Sequence, residues 1–481
     1  MNMNLENFWD AEKIRSNTKK INKIFFYRIC GMGMGTCAIL MKEYGKSIAG
    51  ADNAFFPPMG DYLKDQNIQC HQLSEVSAEL LSDYDLVVVG NSVGRNSDDA
   101  RMLEELGIPF TSFPCLLGEL ILKDKEVIGI SGTHGKTTTT YYLTQMLDHL
   151  GLNPGYLVGG VLLDRPPAAI GAGKFFVIES DEYDSAYFQK IAKLRQYNID
   201  QLIITSLEYD HADIYPDMNS IEKEFESILP NVKKIIANSD YESAKNVSEK
   251  LGRSEDVLYY GSNSELGPKN IRVENGDTFF DINLNNELYS FQTSVIGTHN
   301  IFNLTTCILF CFNNDISYEE LKKSVKNLSN VKRRQELRGT YKKSFVIDDF
   351  AHHPTSVELT IDAIKKKYPN KKIFTVIEPS TSTSRSAAFQ GSFVESFREA
   401  SAVVVANPQI TTNAKQFENL DYELLAKDIN KTFNIPTWCT TDLVTLRAHI
   451  DKLSDEESVL LIMGNRTILG LWESDFIKEI Q

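Results

Sequence analysis

A glycine-rich loop followed by lysine and threonine is the stretch of this sequence whose residue types point most directly to chemistry. It runs Ser131-Gly132-Thr133-His134-Gly135-Lys136-Thr137-Thr138, between the apolar run 127–130 and a helix-like segment at 138–150. Glycines let backbone N–H groups turn toward an anion, and a helix start adds partial positive charge. The lysine would reach the outer phosphates of a nucleotide, and the Thr137 hydroxyl would bind Mg²⁺. The alternative, a glycine turn with a surface lysine, does not account for the strand–loop–helix order.

Acidic residues end the next two predicted strands after this loop. Glu179 to Asp184 follow an apolar strand at 175–178, and Glu208-Tyr209-Asp210-His211 follow another at 202–207. Hard cations prefer carboxylate oxygens, so acids on neighbouring strand ends beside a phosphate loop predict a Mg²⁺ site. A solvated acidic loop is the alternative for either cluster taken alone.

Length and composition favour several globular domains. At 481 residues the chain has room for about three domains of ~150 residues each. Its 42% hydrophobic and 24% charged residues are ordinary for a globular protein. A net charge of −15 without a strongly basic stripe argues against nucleic acid as a partner.

Targeting and redox signals indicate a cytoplasmic protein. Residues 1–23 lack the apolar core of a secretory signal, and no run of about 18 apolar residues predicts a membrane span. The seven cysteines are odd in number and form no C-x-x-C pair, which predicts reduced, mostly buried thiols. Cys307 and Cys311 share a helix face, but a metal site would need two further ligands that the nearby sequence does not offer.

The first part of the chain, 1–122, alternates predicted strands with helices, which indicates a parallel sheet with a ligand at the carboxyl ends of its strands. A G-x-G-x-G motif with an acid about 20 residues on suits a dinucleotide or any nucleotide diphosphate, and a tight turn that packs helix on strand is the alternative. The candidate ligand-binding residues are Gly31, Gly33 and Gly35 after a strand at 25–30, Asp52 at the end of a second strand, and Asn91 and Ser92 after a third at 86–90.

The last part, 332–481, again has an α/β pattern. It opens with Arg333-Arg334, and a strand at 345–347 leads into Asp348-Asp349-Phe350-Ala351-His352-His353-Pro354. Further strands are predicted at 372–377, 403–406 and 459–463. The paired histidines could also be part of an ordinary loop with a proline stop.

Six motifs in a fixed order make the chain resemble the Mur ligase family, the ATP-dependent amide-forming enzymes of bacterial cell-wall synthesis. The match covers nearly the whole length. The phosphate loop has the short G-x-x-G-K-T form, because Ile130 stands where the full Walker A spacing has glycine. The motifs are Gly132 to Thr138, Glu179 to Glu182, Glu208 to His211, Gly297-Thr298-His299-Asn300 with Asn303, Lys332-Arg333-Arg334, and Asp348 to Pro354.

The resemblance implies a three-domain α/β architecture and a role in peptidoglycan synthesis or recycling, and so in cell shape and division. The domains would be a Rossmann-like UDP-sugar-binding domain at 1–122, a central P-loop ATPase-like domain at 123–331, and a C-terminal Rossmann-like ligase domain at 332–481 that binds the incoming amine. ATP and Mg²⁺ would be the cofactors. The protein would be a cytoplasmic monomer or weak oligomer without nucleic-acid or membrane partners.

The family's pattern also implies residue roles. Lys136 would hold the β- and γ-phosphates, Thr137 and Glu179 would bind Mg²⁺, and His211 would ligate a second Mg²⁺ near the acceptor carboxylate. Arg334 would stabilise phosphate charge, and His353 would be either a base or a nucleotide contact. The remaining cofactor-binding residues would be Gly132, Thr133, His134, Gly135, Thr138, His299, Asn303 and Asp349, and the UDP-sugar would lie on Gly31, Gly33, Gly35, Asp52, Asn91 and Ser92.

His134 in the phosphate loop resembles the family branch that acts directly on UDP-N-acetylmuramate. One enzyme of that branch adds L-alanine, and another adds the recycled tripeptide L-alanyl-γ-D-glutamyl-meso-diaminopimelate. The tripeptide is favoured by residues 55–59, Tyr183-Asp184, residues 210–217 and Phe350-Ala351. Two stretches depart from that enzyme's pattern: Ser380 replaces an arginine, and Met463 to Arg466 replace Ser-Asn-Gly. Arg385 is the candidate substitute for the missing cation.

Two other classes of protein remain open from the sequence. A regulator that kept the fold and lost catalysis would be expected to have lost at least one of Lys136, Thr137, Glu179 and His211. An NAD-dependent dehydrogenase would use the first glycine motif and leave the second phosphate loop unexplained.

Overall fold

The computed structural model describes residues 3–210, 214–274, 276–381, 383–409 and 418–481. Three sheets of mainly parallel strands lie one after another along the chain, at 23–112, 126–260 and 336–464. The apolar runs 86–89 and 127–130 are buried along their whole length. Such continuous burial is typical of parallel strands covered by helices on both faces. The predicted α/β fold class is therefore confirmed.

The N-terminal sheet has five parallel strands. Its strand order reverses beside Lys23–Tyr27, and ligands of doubly wound sheets lie at such a reversal, outside the carboxyl ends of the strands. In spatial order the strands are Gln69–Gln72, Ser47–Asp52, Lys23–Tyr27, Leu86–Val89 and Phe110–Ser112. The helices are Ala11–Asn17, Met32–Glu43, Met59–Asp65, Ala78–Ser82, Asp98–Glu105 and Phe113–Leu120.

The central sheet places the phosphate loop between the two acidic clusters. Glu126–Ser131, which leads into the loop, pairs in parallel with Gln201–Ile204 on one side and Phe175–Glu179 on the other. In spatial order the strands are Val257–Tyr260, Lys234–Asn238, Gln201–Ile204, Glu126–Ser131, Phe175–Glu179, Gly155–Leu157 and the antiparallel Ala168–Ala169. The helices are Lys136–His149, Met218–Glu226, Glu242–Glu249, Thr298–Phe312 and Tyr318–Ser324.

Two antiparallel additions to the central part were not predicted from the sequence. A hairpin of Asp184–Ala186 and Gln189–Ala192 follows the first acidic cluster. A three-stranded sheet of Pro268–Glu274, Asp277–Leu284 and Glu287–Thr293 precedes the helix that carries Asn303.

The C-terminal sheet carries the His-His motif at its edge. Ser344–Asp349 ends in the two aspartates, and the helix Pro354–Lys367 begins directly after His353. In spatial order the strands are Glu336–Tyr341, Ser344–Asp349, Ser458–Gly464, Lys372–Glu378, Ala402–Ala406 and Thr437–Thr440, the first antiparallel. The other helices are Gln390–Ser396, Tyr422–Phe433, Leu443–Leu453 and Phe476–Glu479.

Local backbone geometry shifts several predicted boundaries. The first strand ends at Tyr27 instead of residue 30, because Arg28 turns the chain with a φ of 68°. The helix after the phosphate loop begins at Lys136 instead of residue 138, directly after Gly135 with a φ of 85°. No described helix is long and apolar enough to cross a bilayer. All seven cysteines are free thiols.

Candidate functional site

The phosphate loop packs closely against its neighbours, which explains both of its glycines. Gly132 has a φ of 134°, and a Cβ there would lie 2.5 Å from the Ser206 carbonyl oxygen. Gly135 is also left-handed, and its Cβ would lie 2.6 Å from Asn303 Oδ1. Any side chain would be both strained and crowded at these positions. The loop and Asn303, which the sequence placed in one nucleotide site, are therefore adjacent.

Lys136 is buried in the loop and kept charged by acids. Its ammonium group donates to the Gly132 carbonyl oxygen. Burial by itself would lower the pKa of Lys136, but the carboxylates of Glu182 and Glu179 outweigh that effect and raise it. A buried, permanently charged ammonium at the start of a helix is suited to a polyphosphate.

Thr137 and Glu179 form one oxygen cluster. The Thr137 hydroxyl donates to Glu179 Oε1 at 3.0 Å, and the Gly159 backbone N–H donates to Glu179 Oε2 at 2.9 Å. A hydroxyl and a carboxylate beside a phosphate-binding lysine are a donor set that fits Mg²⁺. His211, the third predicted metal ligand, lies outside the described residues.

Two lysines contact the segment of Tyr183 and Asp184, residues that favoured the tripeptide: Lys190 lies in the hairpin and Lys193 directly after it. Asp184 forms an ion pair with Lys190 at 2.6 Å. The ammonium group of Lys193 lies 3.1 Å from Asp181 and 5.7 Å from the Tyr183 ring centre. Sequence analysis missed Lys193, since nothing in its local sequence marks it.

The three N-terminal glycines have different surroundings. Only Gly31 has no atom within 4 Å of an ideal Cβ, whereas Gly33 faces the Phe113 ring at 2.9 Å and Gly35 faces Met59 at 2.1 Å. The Gly35 N–H donates to the Gly31 carbonyl oxygen at 2.8 Å. The Gly35 amide is therefore used in the first helical turn, and the absence of a side chain at Gly35 makes room for Met59. That the three glycines lie at a diphosphate stays a prediction.

Asp52 holds the glycine motif in place. Its carboxylate accepts the Cys30 N–H and the Asn53 N–H, both at 2.8 Å. Asn91 and Ser92 are exposed directly beyond Leu86–Val89, on the neighbouring strand of the sheet. All three predicted residues thus lie at the carboxyl edge of the N-terminal sheet, and their contact with a nucleoside stays a prediction.

His134, Glu208 and His353 meet where the central and C-terminal parts touch. His134 Nε2 lies 2.9 Å from Glu208 Oε2, and the ring centres of His134 and His353 are 4.7 Å apart. Thr355 donates to the other Glu208 oxygen at 3.5 Å. Burial would raise the pKa of Glu208, but the hydrogen bond from His134 lowers it. The sequence placed Glu208 in an acidic cluster predicted to lie near Mg²⁺, and its contact with His134 was not predicted.

Burial lowers the pKa of His353 to about 4. The residue is only 7% exposed, and neither ring nitrogen has a hydrogen-bond partner among the described residues. The imidazole is therefore neutral near pH 7. A neutral imidazole is compatible with both predicted roles, base and nucleotide contact.

The low pKa of His353 predicts acid sensitivity. The unfolded chain takes up a proton near pH 6.5, and the folded chain does so only near pH 4, so stability falls as the pH drops through that window. Between pH 7 and pH 5 we expect wild type to lose about 1–2 kcal/mol more than His353→Gln. Urea midpoints at both pH values, with metal chelated, measure the difference. Equal pH dependence in wild type and His353→Gln would contradict the assignment.

Arg334 and Asp349 lie together at the start of the C-terminal part. The Arg334 guanidinium lies 5.0 Å from the centre of the Phe350 ring. Asp349 accepts the N–H groups of Gln335 and Ala351, each at 2.7 Å, and burial raises its pKa although Arg334 opposes this. Gln335 in turn lies 3.3 Å from His299 Nε2. The fold thus brings together three predicted nucleotide contacts from two parts of the chain: Arg334, Asp349 and His299.

The two departures from the tripeptide enzyme's pattern contact each other. Ser380, where an arginine was expected, donates to Asn465 of the altered 463–466 stretch at 2.5 Å. Arg385 is 8% exposed, and its Nε donates to the Thr381 carbonyl oxygen at 3.3 Å. The two altered stretches are therefore joined by a hydrogen bond, and Arg385 supports the loop that carries Ser380.

Comparison with known proteins identifies the family of this chain. Residues 130–311 match the Mur ligase middle domain, and residues 333–466 match the Mur ligase, glutamate ligase domain. The chain is 30% identical to the UDP-N-acetylmuramate–L-alanyl-γ-D-glutamyl-meso-2,6-diaminoheptandioate ligase of Haemophilus influenzae, over 92% of this chain and 96% of the relative. The chain belongs to the Mur ligase family of amide-forming ligases.

Two solved structures show the same architecture. A murein peptide ligase from Psychrobacter arcticus superposes with a TM-score of 0.68 at 26% identity, covering 94% of this chain and 97% of the other. A UDP-N-acetylmuramate–alanine ligase from Thermotoga maritima gives a TM-score of 0.77 at 21% identity, covering 95% and 98%. The second comparison, at lower identity, speaks for the fold alone. The predicted family and architecture are confirmed.

Proposed function

We propose that this chain is an ATP-dependent ligase that joins the carboxylate of UDP-N-acetylmuramate to the amine of L-alanyl-γ-D-glutamyl-meso-diaminopimelate, in peptidoglycan recycling. The observation that carries the proposal is the 30% identity across 96% of a relative that bears this name. The buried Lys136 and the Thr137–Glu179 pair support catalysis over a regulator that has lost it. The two glycine motifs belong to one ligase, so the dehydrogenase alternative has no remaining support.

The proposed domains are those expected from the sequence: 1–122 for the UDP-sugar, 123–331 for ATP and 332–481 for the peptide. Each range contains one of the three main sheets. The reacting groups would meet where His134, Glu208 and His353 lie. The enzyme would be a cytoplasmic monomer or weak oligomer.

Amide formation from a carboxylate and an amine is unfavourable in water, so the carboxylate must first be activated. A carboxylate oxygen attacks the ATP γ-phosphorus, the bond to the bridging oxygen breaks, and ADP leaves. The peptide amine then attacks the acyl carbon, inorganic phosphate leaves, and the amine loses a proton. Positioning and charge neutralisation supply most of the catalysis in such a transfer.

Each step has candidate residues in this chain. Lys136 would neutralise the β- and γ-phosphates, with Arg334 as a second cation. Thr137 and Glu179 would hold Mg²⁺, with His211 for a second ion, and Mg²⁺ would neutralise charge on the transferred phosphoryl group. An α-amine has a pKa near 8, so only about a tenth is unprotonated at pH 7. The neutral His353 would therefore act as the base or hold the nucleotide.

The alternative is the L-alanine ligase of de novo peptidoglycan synthesis, because the chain is also 29% identical to the UDP-N-acetylmuramate–L-alanine ligase of Lactiplantibacillus plantarum, over 85% of this chain and 89% of that relative. ADP release separates the two. Purified protein is supplied with UDP-N-acetylmuramate and MgATP, together with either the tripeptide or L-alanine. We expect strong release with the tripeptide and weak release with L-alanine. Preference for L-alanine would assign the chain to the alanine-adding branch. ADP release that does not depend on UDP-N-acetylmuramate would contradict both proposed activities.

Arg385→Ala is expected to lower kcat/KM for the tripeptide by about tenfold, because a hydrogen bond to a charged group contributes about 1.5–3 kcal/mol. The far end of the tripeptide is anionic, and Arg385 is the candidate cation in the loop after Pro379. Arg398→Ala is the matched control, since Arg398 is exposed and paired with Glu395. An unchanged kcat/KM for the tripeptide in Arg385→Ala would show that Arg385 does not bind the peptide. It would not contradict the proposed ligase activity.

A further inference from the structure

The cluster of His134, Glu208 and His353 has the composition of a transition-metal site. One nitrogen from each histidine and one carboxylate oxygen lie within 4.8 Å of one another. His353 is 7% exposed, and its two nitrogens have no hydrogen-bond partner in the described ranges. A buried, unpartnered imidazole directed at a second histidine and a carboxylate is costly unless something binds it.

The surroundings favour a cation. The carboxylate of Asp210 acts electrostatically on His353 in addition to Glu208. Glu208 keeps one oxygen toward His134 while its other oxygen accepts from Thr355, so the carboxylate is oriented from two sides. Ligands of metal ions are commonly oriented by such outer hydrogen bonds.

The donor set selects the kind of ion. Two imidazoles and one carboxylate suit Zn²⁺ and related divalent ions, whereas Mg²⁺ prefers a shell of oxygens. Bond lengths near 2.0–2.2 Å require ligand atoms about 3.3 Å apart in a tetrahedron. The His134–Glu208 distance of 2.9 Å is already close to that spacing, so an ion needs mainly a movement of up to about 1.5 Å by His353.

We propose that His134, Glu208 and His353 bind a Zn²⁺-like transition-metal ion, through a ligand set that shares no residue with the predicted Mg²⁺ ligands Thr137, Glu179 and His211. His134 belongs to the phosphate loop and Glu208 to the next strand end, whereas His353 belongs to the C-terminal part. The ion would therefore tie the C-terminal part to the phosphate loop in the absence of nucleotide. This inference goes beyond the proposed function and is tested without substrates.

The test is titration of metal-free, nucleotide-free protein with Zn²⁺ by calorimetry, followed by thermal unfolding. We expect one tight site in wild type and a raised thermal midpoint, since an ion that binds only the folded state stabilises it. His353→Gln and Glu208→Gln should each weaken binding by at least about tenfold and lose the midpoint shift. Circular dichroism confirms that the variants are folded.

Three control variants assign the site. His71→Gln removes another histidine that lies beside a glutamate, 3.9 Å from Glu75, and Cys70→Ser removes the exposed thiol. Both should bind Zn²⁺ as wild type does. His211→Ala should also keep the tight site. Wild-type affinity in His353→Gln, or loss of the site in His211→Ala with retention in His353→Gln, would overturn the proposal, because the ion would then occupy another site.

Discussion

Replacing Lys136 with alanine should reduce ligation by about 10²–10³-fold while leaving the protein folded. The ammonium group is buried in the phosphate loop and held charged by Glu179 and Glu182. Its removal takes away the cation that we propose to face the transferred phosphoryl group, and the loop 131–138 contains no other lysine or arginine. The loss should appear in turnover, because the charge is needed most as ADP leaves.

The measurement is ADP release at saturating UDP-N-acetylmuramate and tripeptide, with thermal unfolding as the check of folding. Lys123→Ala is the matched control, since Lys123 is exposed just before the strand that leads into the loop. It should keep wild-type turnover. A folded Lys136→Ala protein that retains more than about a tenth of wild-type turnover would contradict the proposal that the loop binds ATP.

Glu179→Gln should raise the Mg²⁺ concentration needed for half-maximal activity and depress turnover by at least about tenfold. The Glu179 carboxylate is fixed by Thr137 at 3.0 Å and by the Gly159 N–H at 2.9 Å, so its charge is presented at one place. Glutamine keeps the shape and loses the charge that a hard cation prefers. His211→Ala should act in the same direction.

A double-mutant cycle tests whether Thr137 and Glu179 bind the same Mg²⁺ ion. If Thr137 and Glu179 hold the same ion, Thr137→Ala and Glu179→Gln together should cost less than the sum of their separate effects. Titration of Mg²⁺ against ADP release gives the midpoints, and the exposed Glu265→Gln is the control. Unchanged midpoints in both Glu179→Gln and His211→Ala would mean that these residues only shape their loops.

Sequence reasoning succeeded where local pattern and spacing carry the information. The phosphate loop, its lysine and the acids at neighbouring strand ends are short motifs attached to apolar strands. Because parallel strands end at one edge of a sheet, their order predicts that Thr137 and Glu179 come together, and they do. The alternation of strands and helices is also a local pattern, so the α/β fold class could be predicted from the sequence.

Contacts between distant parts of the chain could not be predicted in this way. The contact of His353 with His134 and Glu208 depends on how the C-terminal part docks, and no spacing in the sequence encodes that. Gly35 illustrates a second limit. A glycine motif shows where the backbone has conformational freedom. Whether each glycine contacts a ligand or makes room for a neighbour such as Met59 depends on packing.

The most direct test of the central claim is a competition between the two amines. Protein, MgATP and UDP-N-acetylmuramate are incubated with equal concentrations of L-alanine and the tripeptide. The amounts of the two products are measured early in the reaction by mass spectrometry. The product ratio reports the ratio of the two kcat/KM values, whatever limits each rate. We expect the tripeptide adduct to exceed the alanine adduct by at least about tenfold, as binding of the remote residues lowers the barrier at the amine. An excess of the alanine adduct would contradict the account.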